Sequence, residues 1–177
     1  MAGRTQGQTN DSVLTPLGRE QAKSIGDRLK DKKIEIIACS PLLRARQTAK
    51  LADLSLKVPI VTEEAFNEID VGMAEGLYRA EIRERFPVIF EQWHSTERKF
   101  ENVRYPGGET KKQARERIFA GLEKWAHLDY NNIAVSAHGI MLAQTLIALG
   151  YETSGVENGA ILQITYDDGH WDVVGWM

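Results

Sequence analysis

The sequence predicts an α/β domain, a three-layer α/β/α sandwich around a mostly parallel central sheet. The first observation is that short β-branched segments alternate with longer segments of helical apolar spacing. The second is that segment 132–136 is apolar on successive residues, which is typical of a strand buried on both faces of a parallel sheet. The third is size, because 177 residues with 42% hydrophobic content suit one core of ordinary size. We therefore expect a single domain over residues 1–177.

Capping signals and apolar spacing place the helices. Thr15-Pro16 is typical of an N-cap followed by the first helical residue, and the apolar spacing after it continues to about Lys30. A second helix is predicted to begin at Ser40-Pro41 and to run through Leu51. Thr110 can cap a later helix that has one apolar stripe. The remaining predicted helical segments are 78–86, 87–93 and a helix from about residue 140.

Short segments of strand character lie between these helices. The predicted strands are 34–39, 59–61, 132–136, 160–166 and 171–176. Turn residues Asp167-Asp168-Gly169 separate the last two strands, which predicts a hairpin. Residues 66–76 read as an irregular stretch, and Pro106-Gly107-Gly108 breaks the chain before the helix capped by Thr110. We expect residues 66–108 to form a lid or insert over the site.

Composition excludes several classes of partner. The 22 Lys and Arg residues against 25 Asp and Glu give a net charge of −3, so no overall field attracts nucleic acid or an anionic membrane. The longest apolar stretch, 140–149, falls short of the roughly 20 residues that cross a bilayer. Residues 1–10 contain no apolar run that could serve as a signal peptide, and one cysteine cannot form an internal disulfide. These features predict a cytoplasmic protein that binds neither nucleic acid nor membrane; they leave its oligomeric state open.

Cofactor and metal motifs are absent from the sequence. It contains no Walker phosphate loop, no dinucleotide-binding glycine fingerprint and no paired metal-ligand motif, so we expect no cofactor and no metal. A cysteine-phosphatase site is also disfavoured, because it needs five residues between its cysteine and its arginine. Arg44 follows Cys39 after four intervening residues and Arg46 after six. We therefore predict that Cys39 is a buried thiol at the end of a strand.

Two predicted strands end in small-residue turns that lead into helices, and each turn carries a polar group. Arg44 lies one turn into the helix after strand 34–39, where helix N–H groups and a guanidinium favour an anion. Strand 132–136 runs directly into Ala137-His138-Gly139, so His138 occupies the equivalent place after the second strand. Because ligands of open α/β sheets bind beyond the carboxyl ends of the strands, we expect the two side chains to share a pocket. Taken alone, each has a plainer interpretation, a surface arginine and a structural histidine.

The irregular stretch 66–76 holds a candidate proton donor. Carboxylates alternate there with apolar residues, so the Glu68 carboxyl could be partly buried and keep its proton near neutral pH, as a general acid requires. For Asp70 and Glu75 we favour solvated loop acids. The other histidines, at positions 94, 127 and 170, stand in helix or turn contexts and are interpreted as structural or exposed.

Taken together, four ordered motifs resemble those of the histidine phosphatase superfamily, also called phosphoglycerate mutase-like. They are the segment 40–49 around Arg44, the Glu68 loop ending at Gly76, Pro106-Gly107-Gly108-Glu109, and Ser136-Ala137-His138-Gly139. Segments 3–7 and 14–22 resemble the family's first loop and first helix, and 158–160 resembles the start of its last hairpin. The resemblance covers practically the whole chain.

The resemblance implies a reaction and a role for each candidate. In this family a pocket of two histidines and two arginines holds phosphate, and one histidine becomes phosphorylated. Arg44 would neutralise phosphate charge, His138 would be the non-nucleophilic histidine that donates to a phosphate oxygen, and Glu68 would protonate the leaving alcohol. Gln6 would line the pocket and contact substrate. The implied ligands are a small-molecule phosphomonoester or inorganic phosphate.

The sequence departs from the family in its first motif, a hydrophobic strand ending in Arg-His-Gly, which is missing from the 177 residues. Its loss would remove the nucleophile, one arginine and a central strand, and we expect the chain as written to be inactive. Three hypotheses remain: a phosphatase whose complete form hydrolyses a small metabolite, a non-catalytic phosphate binder, and a phosphoglycerate mutase. The mutase is disfavoured, because its members usually carry Arg and Tyr where this chain has Ile69 and Val71. They also carry an adjacent arginine pair, whereas Arg98 and Arg104 are separated here.

Overall fold

A computed structural model describes residues 3–8, 12–95, 97–153 and 155–177. The helices are α1 (Pro16–Leu29), α2 (Leu43–Leu56), α3 (Arg79–Arg85), α4 (Pro87–His94), α5 (Lys111–Ala126) and α6 (Gly139–Ala148). The strands are β1 (Ile36–Cys39), β2 (Ile60–Thr62), β3 (Ile133–Ser136), β4 (Leu162–Asp167) and β5 (His170–Trp176). None of the helices in the described part of the chain is long and apolar enough to cross a membrane.

Strands β1, β2 and β3 form a parallel sheet with β1 at its centre. Ala38 of β1 lies opposite Val61 of β2 and opposite Val135 of β3. One face of the sheet packs on α2 through a cluster that includes Ile37 and Ala49. The other face carries the larger cluster, in which Ile36 packs with residues of α5 and α6. Helices therefore cover both faces, which confirms the predicted α/β/α sandwich with a parallel sheet.

The sheet is open along the edge of β3 that faces away from β1. The Glu35 and Ser40 amides, which flank β1, donate hydrogen bonds to the Asn132 and Ser136 carbonyls. Because alternate residues of a parallel strand face the same neighbouring strand, the backbone groups of Ile133 and Val135 point away from β1. Among the described residues no strand pairs with this edge. Val135 is 36% exposed, whereas its register partner Ala38 is fully buried. Strands β4 and β5 form a separate antiparallel hairpin, as predicted for the C-terminal segment.

Local capping explains where the helices begin. The Thr15 hydroxyl accepts from the Gly18 amide at the start of α1, and Thr110 forms a capping box with Gln113 at the start of α5. Helix α2 begins at Leu43 rather than at Ser40-Pro41 as predicted. The Ser40 hydroxyl accepts a hydrogen bond from the Leu42 amide, and the backbone of Leu42 is extended. The helix therefore begins only after Leu42. The three residues after β1 thus form a tight turn that delivers Arg44 to the first turn of α2.

Residues 66–108 are anchored in the larger hydrophobic cluster. Ile69 and Val71 of the irregular stretch are fully buried, as is Phe90 of α4. Tyr105 packs against Trp93 with ring centroids 5.3 Å apart. The segment contains the predicted helices α3 and α4, with one short 3₁₀ turn before them (Gly72–Ala74) and one after them (Arg98–Phe100). It is therefore held by apolar packing as well as by its backbone hydrogen bonds.

Candidate active site

Arg44 lies in the first turn of α2, beyond the carboxyl end of β1. Its guanidinium is partly buried and donates from Nη2 to the Gly7 carbonyl at 2.7 Å and from Nη1 to the Ser12 hydroxyl at 3.2 Å. Burial lowers the pKa of Arg44, and the carboxyls of Glu68 and Glu75 oppose that shift. The cation is thus fixed in place by the loop of residues 3–8 and has acidic groups within electrostatic reach.

His138 lies two residues beyond the end of β3 and is the N-cap residue of α6. The side chain is 8% exposed, and Nε2 has no hydrogen-bond partner in the described part of the chain. Burial, together with the nearby charges of Arg44 and Arg117, lowers the pKa of His138 to about 3. The imidazole is therefore neutral at physiological pH. A buried polar nitrogen without a partner is costly, so a bound ligand that accepts from Nε2 would be favoured.

The Glu68 carboxyl is 6% exposed and lies at the start of α6. Its Oε1 accepts from the Ile69 amide at 3.0 Å, and its Oε2 accepts from the Ile140 amide at 3.3 Å. Burial raises the pKa of Glu68 to about 7, although these amides and Arg44 act in the opposite direction. Glu68 is therefore close to half-protonated near neutral pH, the condition in which a carboxyl can both donate and accept a proton.

Arg44, Glu68 and His138 lie together at the carboxyl edge of the sheet. Arg44 is close enough to shift the pKa of both other groups, and Ile140, which contacts Glu68, is two residues beyond His138. The cluster combines a fixed cation, a neutral imidazole with an unpartnered nitrogen, and a carboxyl that titrates near neutrality. Such a set can bind a tetrahedral oxyanion and exchange a proton with a group attached to it.

Gln6 is half-buried in the loop of residues 3–8 beside this cluster. The loop runs along residues 75–78, because the Thr5 amide donates to the Leu77 carbonyl and the Gly76 amide donates to the Thr5 carbonyl. The next residue, Gly7, is the one whose carbonyl accepts from Arg44. Gln6 is therefore placed near the site by backbone contacts on both sides.

The prediction that Asp70 and Glu75 are solvated loop acids is wrong. Both are partly buried. Asp70 accepts from the Gly72 amide at 2.8 Å, and Glu75 accepts from the Gly7 amide at 3.0 Å. The Glu75 carboxylate also lies close enough to Arg44 to oppose the lowering of the Arg44 pKa, so it links the loop of residues 3–8 to the Arg44 guanidinium. The sequence pattern missed this because the partner of Glu75 is a backbone amide far away in the chain.

Loop packing behind Glu68 depends on two glycines. Gly72 has a φ of +48°, and a Cβ there would lie 2.3 Å from the Pro106 carbonyl oxygen. A Cβ on Gly108 would lie 2.7 Å from the Asp70 carbonyl oxygen. The segments bond directly, since the Met73 amide donates to the Pro106 carbonyl at 2.9 Å. The Pro106-Gly107-Gly108 break thus supports the loop that carries the candidate acid.

The remaining candidates from the sequence lie elsewhere. Cys39 is fully buried, as predicted, and burial raises the pKa of its thiol. The ring nitrogens of His94 and His127 contact the carbonyls of their own helices, and His170 is exposed in the terminal hairpin. Sequence reasoning missed Arg117 of α5, which lies close enough to lower the pKa of His138.

Comparisons with known proteins identify the family of this chain. The family model for the histidine phosphatase superfamily (branch 1) matches residues 1–177. The "Uncharacterized phosphatase PhoE" of Bacillus subtilis is 29% identical over 96% of this chain and 83% of its own. A protein of Salmonella choleraesuis named "Probable phosphoglycerate mutase GpmB" is 28% identical over 98% of this chain and 82% of its own.

A structural relative shares the architecture. A mycobacterial glucosyl-3-phosphoglycerate phosphatase in complex with VO3 superimposes with a TM-score of 0.83 at 21% identity, covering 97% of this chain and 89% of its own. At that identity the likeness establishes the fold alone. Because the family model covers every residue, the chain belongs to the histidine phosphatase superfamily, branch 1.

Proposed function

We propose that this chain carries the phosphate-binding and proton-donating part of a phosphatase that hydrolyses a small-molecule phosphomonoester. The convergence of Arg44, His138 and Glu68 carries the proposal, because each supplies a different property that phosphate-ester cleavage requires. The name of the Bacillus subtilis relative and the oxyanion complex of the mycobacterial relative support the same class of ligand. Inorganic phosphate, the product of hydrolysis, would bind in the same place.

Each of the three groups has a role in this proposal. The Arg44 guanidinium binds phosphate oxygens and stabilises the negative charge that spreads over them in the transition state. The unpartnered Nε2 of His138 carries the ring proton and donates a hydrogen bond to another phosphate oxygen. In a complete site an attacking imidazole would form a bond to phosphorus as the ester P–O bond breaks, and protonated Glu68 would give its proton to the departing alcohol. As a carboxylate, Glu68 would then accept a proton from the water that displaces the imidazole from phosphorus. Gln6 lines the pocket and contacts the substrate.

The family mechanism also requires an imidazole that attacks phosphorus. The sequence contains four histidines, and only His138 lies in the cluster. His138 follows β3 at the side of the expected phosphate, where it would be poorly placed for in-line attack on phosphorus. We therefore propose that the 177 residues bind phosphate without appreciable turnover. Among the described residues no strand pairs with the outer edge of β3, and a parallel strand that carries a nucleophile would fit at this edge.

A phosphoglycerate mutase is the less favoured alternative despite the name of the Salmonella relative. Ile69 and Val71 stand just after the candidate acid, where mutases usually carry Arg and Tyr. Both are apolar and fully buried in the hydrophobic cluster. Mutases also usually carry an adjacent arginine pair in a longer lid, whereas Arg98 and Arg104 are separated here. We propose instead that residues 66–108 act as a lid or insert that shapes the leaving-group side of a phosphatase pocket.

Sulfate binding tests the proposal without turnover. We expect isothermal titration calorimetry at pH 6 to detect sulfate binding to the wild-type chain and to detect none with Arg44→Ala, because Arg117, the other cation close to His138, is already paired with Glu109. Arg46→Ala is the matched control, since Arg46 is an exposed arginine on the same helix. Equal sulfate affinity in the wild type and in Arg44→Ala would overturn the assignment.

A further inference from the structure

Arg117 of α5 makes an unusual set of contacts with the loop that carries Glu68. Its Nη1 donates to the Ala65 carbonyl at 2.8 Å and to the Asn67 carbonyl at 3.0 Å, and its Nη2 lies 3.4 Å from the Glu68 carbonyl. One guanidinium thus binds three carbonyls within four consecutive residues. Its Nη2 also lies 3.9 Å from the sulfur of Met141, in the first turn of α6. Arg117 therefore joins α5, the loop and the helix start that binds the Glu68 carboxyl.

Glu109 holds this guanidinium in a fixed orientation. The ion pair is bidentate, with Nε to Oε1 at 2.9 Å and Nη2 to Oε2 at 2.8 Å. The side chains are 24% and 16% exposed, so the pair is largely shielded from water. Glu109 also bonds the far side of the loop, because its amide donates to the Asp70 carbonyl at 2.8 Å. Residues 65–70 are therefore held at both ends by one ion pair.

We propose that Arg117 and Glu109 are positioning residues that place the Glu68 carboxyl in its buried contact with the N-terminus of α6. The proposal rests on the proposed function of Glu68 as the proton donor. It adds Arg117, which lies outside the sequence motifs, and it gives a role to Glu109, the last residue of the Pro106–Glu109 motif. Neither residue contacts the Glu68 carboxyl, which accepts from the Ile69 and Ile140 amides and faces Arg44 as its nearby cation. The pair acts by holding the Glu68 backbone.

Burial is the main cause of the high proton affinity of Glu68, so the position of its backbone controls that affinity. If the loop is released, the carboxyl gains water and its pKa moves toward the ordinary value of 4.5. A purely structural ion pair would instead lower the stability of the protein and leave the titration of Glu68 where it is. The titration of Glu68 therefore separates the two roles.

The test is the titration of the Glu68 carboxyl by ¹³C NMR in the glutamate-labelled 177-residue chain, with its resonance assigned from its loss in Glu68→Gln. We expect Arg117→Met to lower the pKa of Glu68 by about one pH unit or more. Arg115→Met is the matched control. Arg115 lies two residues away on α5 and also forms an ion pair, but with Glu101, and its other partner is Gln144. We expect this variant to leave the pKa of Glu68 unchanged.

Two further variants keep the test decisive if Arg117→Met does not fold. Glu109→Gln retains an oxygen acceptor but loses the charge, and it should lower the pKa of Glu68 by a smaller amount. Arg117→Lys keeps the cation but cannot bind three carbonyls and a carboxylate in a plane, so it should also lower the pKa of Glu68. If the folded variants of Arg117 and Glu109 all titrate as the wild type does, the proposal is wrong.

Sulfate binding distinguishes this failure from failure of the proposed function. If the wild type binds sulfate through Arg44 and the pKa of Glu68 is near 7 in every variant, only the positioning role falls. If the wild type binds no sulfate, or its Glu68 titrates near 4.5, the proposed site itself is wrong.

Discussion

The replacement Glu68→Gln should change how the stability of the folded protein depends on pH. Burial raises the pKa of Glu68 from its ordinary 4.5 to about 7 in the folded chain. Between these pH values the folded wild type keeps a proton that the unfolded chain releases, so wild-type stability falls as pH rises through this window. One pH unit of pKa difference corresponds to about 1.4 kcal/mol, so the loss amounts to about 3 kcal/mol by pH 8.

The measurement is the free energy of unfolding in urea at several pH values from 4 to 8 for both proteins. The amide of the variant bonds the Ile69 and Ile140 amides less well than a carboxylate does, which adds a constant difference at all pH values. Only the pH-dependent part is diagnostic: the variant should gain about 3 kcal/mol relative to wild type between pH 4 and pH 8. Glu64→Gln, at an exposed position of the same loop, should give a curve parallel to wild type. Parallel curves for Glu68→Gln would refute the buried, proton-holding carboxyl.

Three other predictions rest on the same geometry. Sulfate affinity should fall by up to about tenfold per pH unit above pH 7, because ionised Glu68 repels the anion, and Glu68→Gln should abolish this dependence in calorimetry; a persistent pH dependence would contradict it. Gly72→Ala should lower the free energy of unfolding in urea by about 2 kcal/mol or more, because the added Cβ would meet the Pro106 carbonyl oxygen. The control is Gly76→Ala, where φ is +77° and no neighbouring atom lies within 4 Å of the added Cβ. It should lower the free energy of unfolding by only about 1 kcal/mol. Equal losses would rule out the loop contact. The chain as written should cleave para-nitrophenyl phosphate no faster than background, and an upstream strand ending in Arg-His-Gly should restore cleavage; activity of the short form that His138→Ala abolishes would contradict the assigned role of His138.

Elements with strong local signals could be predicted from the sequence. The caps at Thr15 and Thr110 act within a few residues, so the starts of α1 and α5 follow directly from the sequence. The strands β1 and β3 follow from their apolar runs, although only β1 is fully buried and β3 is partly exposed. Their shared parallel direction brings the residues after them to one edge. That is why the sequence alone identifies Arg44 and His138 as neighbours.

Contacts to backbone groups far away in the chain could not be predicted in this way. Arg117 binds carbonyls about fifty residues earlier, and every residue type has a carbonyl, so no pattern marks the partner. Glu75 and the Gly7 amide are a similar case, separated by 68 positions. The start of α2 was missed for a related reason, since the Ser40 hydroxyl bonds the Leu42 amide and Asn67 rather than capping a helix.

The protonation and hydrogen bonding of His138 test the central claim of a phosphate site most directly. Long-range ¹H–¹⁵N NMR of the four imidazoles at pH 6.5, with and without sulfate, reports on each ring separately. We predict that His138 is neutral without sulfate and that its Nε2 resonance alone shifts strongly on sulfate addition, since this buried nitrogen has no partner in the described part of the chain. We also predict that Arg44→Ala removes the shift. A His138 ring that is already charged at this pH, or that stays unchanged while sulfate binds, would contradict the account.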